Sequence, residues 1–162
     1  MRVAVLTIST SRSAGDGADT SGDAIVEWVS ANEHTLAARE MVSDDSAAII
    51  TRLAGWCDSG AADLILTTGG TGLSPTDVTP EATRVVIERE ATGIAERIRA
   101  LSLESFPRAA LSRGLAGARN KTLIVNLPGS PGGVRDALSA LDPIVVHACD
   151  VLRGTAVHAR SE

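Results

Sequence analysis

The chain has 162 residues, 44% of them hydrophobic and 22% charged, with a net charge of −5 and a mean hydropathy of +0.13. That profile suits one soluble globular domain, 1–162, able to bury roughly 70% of its unfolded surface without disulfides or metal staples, and no apolar run approaches the ~20 residues of a membrane helix. The 15 basic residues are all arginine except Lys121 and are scattered singly, and aromatic residues are limited to Trp28, Trp56 and Phe106, which excludes a nucleic-acid surface but not a small anion held by backbone amides.

Met1-Arg2-Val3-Ala4-Val5-Leu6 opens a strand rather than a signal peptide, and residues 2–8 form the continuous apolar run of a strand buried on both faces. Residues 9–21, rich in Ser, Thr, Gly and Asp, read as a loop. Ser21 is a candidate cap for a helix whose Ile25, Val26 and Val29 share a face. Residues 35–42 are a weaker strand near a sheet edge. Asp44 or Asp45 then starts a second helix, with Ile49, Ile50, Leu53 and Trp56 on one side.

Asp63–Thr68 is a third strand leading into Gly69-Gly70-Thr71-Gly72. Thr79-Pro80-Glu81 reads as a helix start, with Thr as N-cap, Pro at the first helical position and an acid in the first turn. Ile94, Ile98 and Leu101 mark a further helix, and Thr122–Asn126 a further buried strand. Pro128-Gly129-Ser130-Pro131 turns the chain into a helix carrying Val134, Leu138 and Leu141. Pro143 opens a last helix running to about Arg153, and 154–162 reads as a frayed polar tail. Cys57 and Cys149 sit in apolar contexts without a CxxC, which predicts buried thiols in a reducing cytoplasm. His34, His147 and His158 have no metal-ligand spacing.

Strand–helix alternation predicts a three-layer α/β fold, a mostly parallel sheet with helices on both faces. Ligands of such folds bind beyond the carboxyl ends of the strands, where loops 9–21, 68–79 and 126–132 would meet, with Asp44 on the same edge. Three glycines in four positions let backbone amides approach a ligand, yet no Gly-Lys-Ser/Thr follows and the third glycine of a dinucleotide fingerprint is missing. Asp77, just before the helix start, is either a turn residue or a carboxylate beside a phosphate cradle. In the second role it would share Mg²⁺ with a nucleotide, with Asp44 or Asp45 as the second acid. Asn126-Leu127-Pro128-Gly129-Ser130-Pro131-Gly132 delivers a helix N-terminus at a strand end, a second anion site, with Ser130 as cap. Two anion cradles and one or two carboxylates, without a nucleophilic Cys or a Ser–His pair, suit phosphoryl or nucleotidyl transfer.

Thr67-Thr68-Gly69-Gly70-Thr71-Gly72, Asp77-Val78-Thr79-Pro80-Glu81-Ala82 and Asn126-Leu127-Pro128-Gly129-Ser130-Pro131 resemble the signatures of the molybdopterin adenylyltransferase family of molybdenum-cofactor biosynthesis, which is similar to the gephyrin G domain. The resemblance covers nearly the whole chain. It implies the molybdopterin-binding α/β fold, a homotrimer, and a cytoplasmic enzyme joining the terminal phosphate of molybdopterin to the α-phosphate of ATP with Mg²⁺. A molybdenum-insertion enzyme would be the partner accepting the product. The family's essential, metal-holding acids would fall on Asp44 and Asp77. Substrate and phosphate contacts would fall on Gly69, Gly70, Thr71, Gly72, Ser74, Ser112, Asn126, Pro128, Gly129 and Ser130. The chain departs from many members at Thr76, where a basic residue is usual, and at Ser43, where a proline is usual. The alternative is a non-catalytic molybdopterin-binding carrier or assembly protein.

Overall fold

A computed structural model describes residues 1–15 and 17–156. The first apolar run is strand β1 (Arg2–Ile8), and Val3 to Leu6 are wholly buried because helices cover both faces of the sheet. Its neighbours are β2 (Thr35–Val42), which lies at the edge as its weaker pattern predicts, and β3 (Leu64–Thr68). Beyond β3 lies β6 (Thr122–Leu127). These four strands are mutually parallel.

The order β2-β1-β3-β6-β5-β4 is completed by β5 (Ala116–Arg119) and β4 (Arg89–Glu90), both paired antiparallel. The sequence reading does not contain these two. Ala116-Gly117-Ala118 offers no β-branched or aromatic signal. Gly117 is required by packing instead, because a Cβ there would lie 2.7 Å from the Arg89 carbonyl oxygen.

Alternation along the strands sorts the core into two layers. Val3, Val5, Leu64, Leu66, Leu123 and Val125 face α2 (Thr20–Ala31), α5 (Thr92–Leu103), α6 (Pro131–Leu141) and α7 (Val145–Arg153). Ala4, Leu6, Ile8, Ile65 and Ile124 face α3 (Ser46–Asp58) and α4 (Thr79–Val86). Among the described residues no helix is long and apolar enough to cross a membrane. Cys57 and Cys149 are free and buried as expected, and burial pushes both thiols up to about 11, which leaves them inert.

Several boundaries differ from expectation. A one-turn helix α1 (Thr10–Ser13) interrupts the loop read over 9–21. Asp19, not Ser21, caps α2: its carboxylate accepts from the Gly22 amide at 2.9 Å, while Ser21 is buried within the helix. Val78 is the N-cap of α4. Thr79 lies inside the helix, and its hydroxyl donates to the Gly69 carbonyl at 2.9 Å, anchoring the glycine loop rather than the helix end. The last helix begins at Val145 and stops at Gly154, whose left-handed φ of 76° suits a glycine cap. Residues 157–162 of the expected tail, with His158, lie outside the described residues.

Candidate active site

The carboxyl ends of β1, β3 and β6 deliver the loops expected to meet, and they do meet. Gly69 has φ +100°, and a Cβ there would sit 2.2 Å from the Ile8 carbonyl oxygen at the end of β1, so only glycine allows this approach. A Cβ on Gly129 would lie 3.3 Å from the Gly69 Cα, which brings the second cradle against the first. The Thr68 hydroxyl ties the two together by donating to the Pro128 carbonyl at 2.6 Å. The backbone amides of Gly70, Thr71 and Gly72 donate to no group among the described residues.

Helix capping distinguishes the two candidate first acids. Asp45 caps α3, accepting from the Ala48 amide at 2.8 Å. Asp44 is turned the other way. Its Oδ2 accepts from the Thr10 amide at 2.7 Å and the Thr10 hydroxyl at 2.8 Å, and its Oδ1 would lie 3.3 Å from a Cβ on Gly70. Asp77 borders the loop from the other side, its Oδ2 2.8 Å from where a Cβ on Gly72 would stand. Both readings of Asp77 are therefore present together: Oδ2 closes a turn by accepting from the Ser74 amide at 3.0 Å, and the carboxylate lines the cavity. One carboxylate oxygen of each acid is held, in Asp44 by the amide and hydroxyl of Thr10 and in Asp77 by the Ser74 amide, and the other has no hydrogen bond among the described residues.

A cavity of about 660 Å³ opens beside the loops. Of the residues expected to touch substrate, Gly70, Thr71, Gly72, Asp77, Ser112, Pro128, Gly129 and Ser130 line it. Gly69 lies behind the loop against β1, and Asp44 adjoins Gly70 without lining the cavity. Ser74 sits on the exposed side of the turn, its hydroxyl 2.9 Å from that of Thr76. Asn126 is buried beneath the site. Its amide donates to the hydroxyls of Thr67 and Thr83 at 3.0 and 2.9 Å and its oxygen accepts from the Leu115 amide, so it braces β6, β3, α4 and the approach to β5 rather than facing a ligand. Ser130 caps α6 as expected, accepting from the Gly133 amide at 3.2 Å.

Residues 4–147 match the probable molybdopterin binding domain family. The chain belongs to this family. It is 40% identical to the molybdopterin adenylyltransferase of Helicobacter pylori strain J99, over 95% of this chain and 89% of that protein. It is 36% identical to the molybdopterin adenylyltransferase of Escherichia coli K12, over 91% of this chain and 78% of that one. The structure of the molybdopterin biosynthesis enzyme MoaB from Thermus thermophilus superposes with a TM-score of 0.90 at 46% identity, covering 96% of this chain and 98% of that one. The mostly parallel α/β fold expected from strand–helix alternation is thus shared with a molybdopterin biosynthesis enzyme, as the resemblance implies.

The candidate site has parts that motif reading missed. Arg113 holds the glycine loop from outside. Its guanidinium donates to the Gly72 carbonyl at 2.6 Å and the Asp77 carbonyl at 2.5 Å, it pairs with Glu81, and its own amide donates to the Thr71 carbonyl. The far wall comes from α5, which supplies Arg99 and Ser102, and from a 3₁₀ turn (Pro107–Leu111) with its cap residue, which supply Arg108 and Phe106. α5 is legible only as an amphipathic helix, because nothing in its spacing distinguishes cavity-facing serines and arginines from solvent-facing ones.

Proposed function

We propose that this chain is a molybdopterin adenylyltransferase, transferring the adenylyl group of ATP to the terminal phosphate of molybdopterin and releasing pyrophosphate. The observation that carries the reading is the pairing of Asp44 and Asp77 across one glycine loop, each with a carboxylate oxygen left over, beside a second anion cradle at the start of α6.

The chain's own groups account for the positioning such a transfer needs. A phosphate oxygen of molybdopterin must attack the α-phosphorus of ATP while the bond to pyrophosphate breaks, and most of the catalysis lies in alignment and charge stabilisation. The amides of Gly70, Thr71 and Gly72 are donors for phosphate oxygens at one end of the cavity. Those at the N-terminus of α6, where the helix dipole favours negative charge, are donors at the other. Arg113 keeps the loop from sagging as charge builds. Mg²⁺ typically takes one or two carboxylates, with waters and phosphate oxygens completing its shell, and a donor set of Asp44 and Asp77 fits that demand. Bound there, it would neutralise the ATP phosphates. A homotrimeric, cytoplasmic enzyme handing its product to a molybdenum-insertion enzyme completes the proposal.

Purified protein incubated with molybdopterin and Mg-ATP should form adenylylated molybdopterin and an equal amount of pyrophosphate. Tight binding of molybdopterin with no pyrophosphate would overturn the catalytic reading and leave a carrier. Light scattering that gives a monomer would remove the trimer.

A further inference from the structure

Thr10 and Asp44 lie 34 residues apart, in the loops that follow β1 and β2. The Thr10 amide and hydroxyl both donate to Asp44 Oδ2, at 2.7 and 2.8 Å, and the same hydroxyl accepts from the Asp44 amide at 3.1 Å. Used as donor and acceptor at once, the hydroxyl is fixed in one orientation. Every hydrogen bond of the Asp44 side chain among the described residues goes to Thr10, whereas the adjacent Asp45 is held by α3. The two loops do not need this contact to stay together, because the Ser9 amide donates to the Val42 carbonyl at 2.9 Å and ties them through backbone alone. What the Thr10 side chain adds is a choice of oxygen. Two donors converge on Oδ2, and Oδ1, 3.3 Å from where a Cβ on Gly70 would stand, is left free beside the glycine loop.

A carboxylate with one oxygen occupied can offer a cation only the other. Mg²⁺ demands a near-ideal octahedron, which the narrow bite of a bidentate carboxylate distorts, while the larger Ca²⁺ takes about six to eight oxygens and accepts carboxylates in either mode. Asp77 has the same arrangement as Asp44, its Oδ2 accepting from the Ser74 amide at 3.0 Å. Both acids therefore present single oxygens, as Mg²⁺ prefers. In Asp77 that state is set by the backbone of its own turn. In Asp44 it depends in part on a side chain, which substitution can remove.

Resting on the adenylyltransferase reading above, we propose that Thr10 is a positioning residue: it holds Asp44 as a one-oxygen ligand and so favours Mg²⁺ over Ca²⁺ beside the ATP phosphates. The test is to titrate Mg-ATP and, separately, Ca-ATP into the wild type, Thr10→Val and Thr10→Ser, without molybdopterin, so that no transfer occurs. Valine keeps the shape and the amide but loses the hydroxyl, so Mg-ATP should bind about three- to tenfold more weakly while Ca-ATP changes by less than about twofold. Serine restores the hydroxyl, and its metal preference should match the wild type within about twofold. The three proteins should melt within about 2 °C of one another, because the contact is exposed and Ser9 still ties the loops. An unchanged Mg-over-Ca preference in Thr10→Val would overturn the proposal. So would an equal loss for both metals, the signature of general loop damage, or a loss that serine fails to restore. Wild-type protein that binds Mg-ATP no better than metal-free ATP would instead refute the metal-holding role of Asp44 and Asp77 in the parent reading, and the proposal with it.

Discussion

The cavity at the carboxyl ends of the strands holds about 660 Å³, and a second one at their amino ends, lined by Arg2, Asp58, Asp63, Asn120, Lys121 and Arg153 among others, holds about 750 Å³. The larger is richer in charge, but its charges are mostly spent. Asp63, buried to 4% exposure, accepts from the Arg2 amide at 2.7 Å, the Arg2 guanidinium at 2.8 Å and Arg153 at 3.2 Å. Asp58 accepts two bonds from Arg119 at 2.8 and 2.9 Å and one from Asn120 at 3.0 Å. At the other end the loop amides, one oxygen each of Asp44 and Asp77, and the Ser102 hydroxyl remain without partners among the described residues. Size and charge do not favour the proposed working end of this sheet; its unspent hydrogen-bonding capacity does, against the single buried Arg153 Nε left without a partner at the amino end among the described residues.

The largest expected effect breaks the working end. Asp77→Asn keeps the turn, because an Asn oxygen accepts from the Ser74 amide equally well, but removes the charge facing the cavity. Adenylylation should fall by about 100-fold or more, with little change in melting temperature. Single-turnover product formation at saturating Mg-ATP measures it, and near-normal turnover would move the role to Asp44.

The mirror experiment breaks the other end. Asp63→Asn leaves two arginines short of their partner. Removing one member of a buried pair can cost ~3–5 kcal/mol, but Arg2 and Arg153 are 52% and 33% exposed, so screening reduces this to about 2 kcal/mol. Turnover per folded molecule should be unchanged. Burial pushes the Asp63 carboxyl up, but the hydrogen bonds from Arg2 and the nearby Arg153 outweigh it and hold the carboxyl below its ordinary value of 3.8. Its folded-state affinity for a proton is therefore the weaker one. The stabilisation is present above pH 3.8 and is lost as pH falls through the lower folded value. Acid titration of melting temperature should be steeper in that window for the wild type than for the variant.

How much of this contrast the sequence carried depends on whether a feature is local. The glycine loop, the Ser130 cap and the strand–helix order are written in neighbouring residues, and each was legible. The choice between Asp44 and Asp45 needed the backbone at the start of α3, since two adjacent acids have equal capping propensity. β4 and β5 pair small or charged residues whose strand character comes only from their partners. The cavity wall joins Ser102 to Gly72 and Gly129, and no pattern along the chain encodes such a meeting. Asn126 sits within a ligand motif but is occupied by Thr67 and Thr83, because a buried amide must be satisfied wherever it lies.

Gly70→Ala sharpens the comparison by asking what the working end gives up in stability. Gly70 has φ +63°, and an added Cβ would lie 2.4 Å from the Thr79 hydroxyl and 3.3 Å from Asp44. The left-handed backbone and the displaced Thr79 together should cost about 1–2 kcal/mol. The variant should also bind Mg-ATP more weakly once folded, because the displaced groups include Asp44. Calorimetric titration on folded protein separates the two, and normal affinity would reduce the glycine to a turn.

The smallest effect tests whether one residue serves both stability and binding. Ser130 caps α6 through the Gly133 amide and lines the cavity. Anion binding at that helix end competes for the same amide. Ser130→Ala removes the cap, costing about 1 kcal/mol of stability, while freeing the amide for a ligand phosphate. The hydroxyl, itself released when phosphate takes the amide, is lost as a donor. The two consequences for binding oppose each other, so molybdopterin affinity should change by less than about threefold even as the protein melts earlier. Ser130→Gly is the control, since glycine retains most of a cap's stability at this position. A tenfold loss of affinity in both variants would make the hydroxyl a direct phosphate ligand. An unchanged melting temperature in Ser130→Ala would show that the start of α6 is held by the loop contacts at Gly69 rather than by its cap.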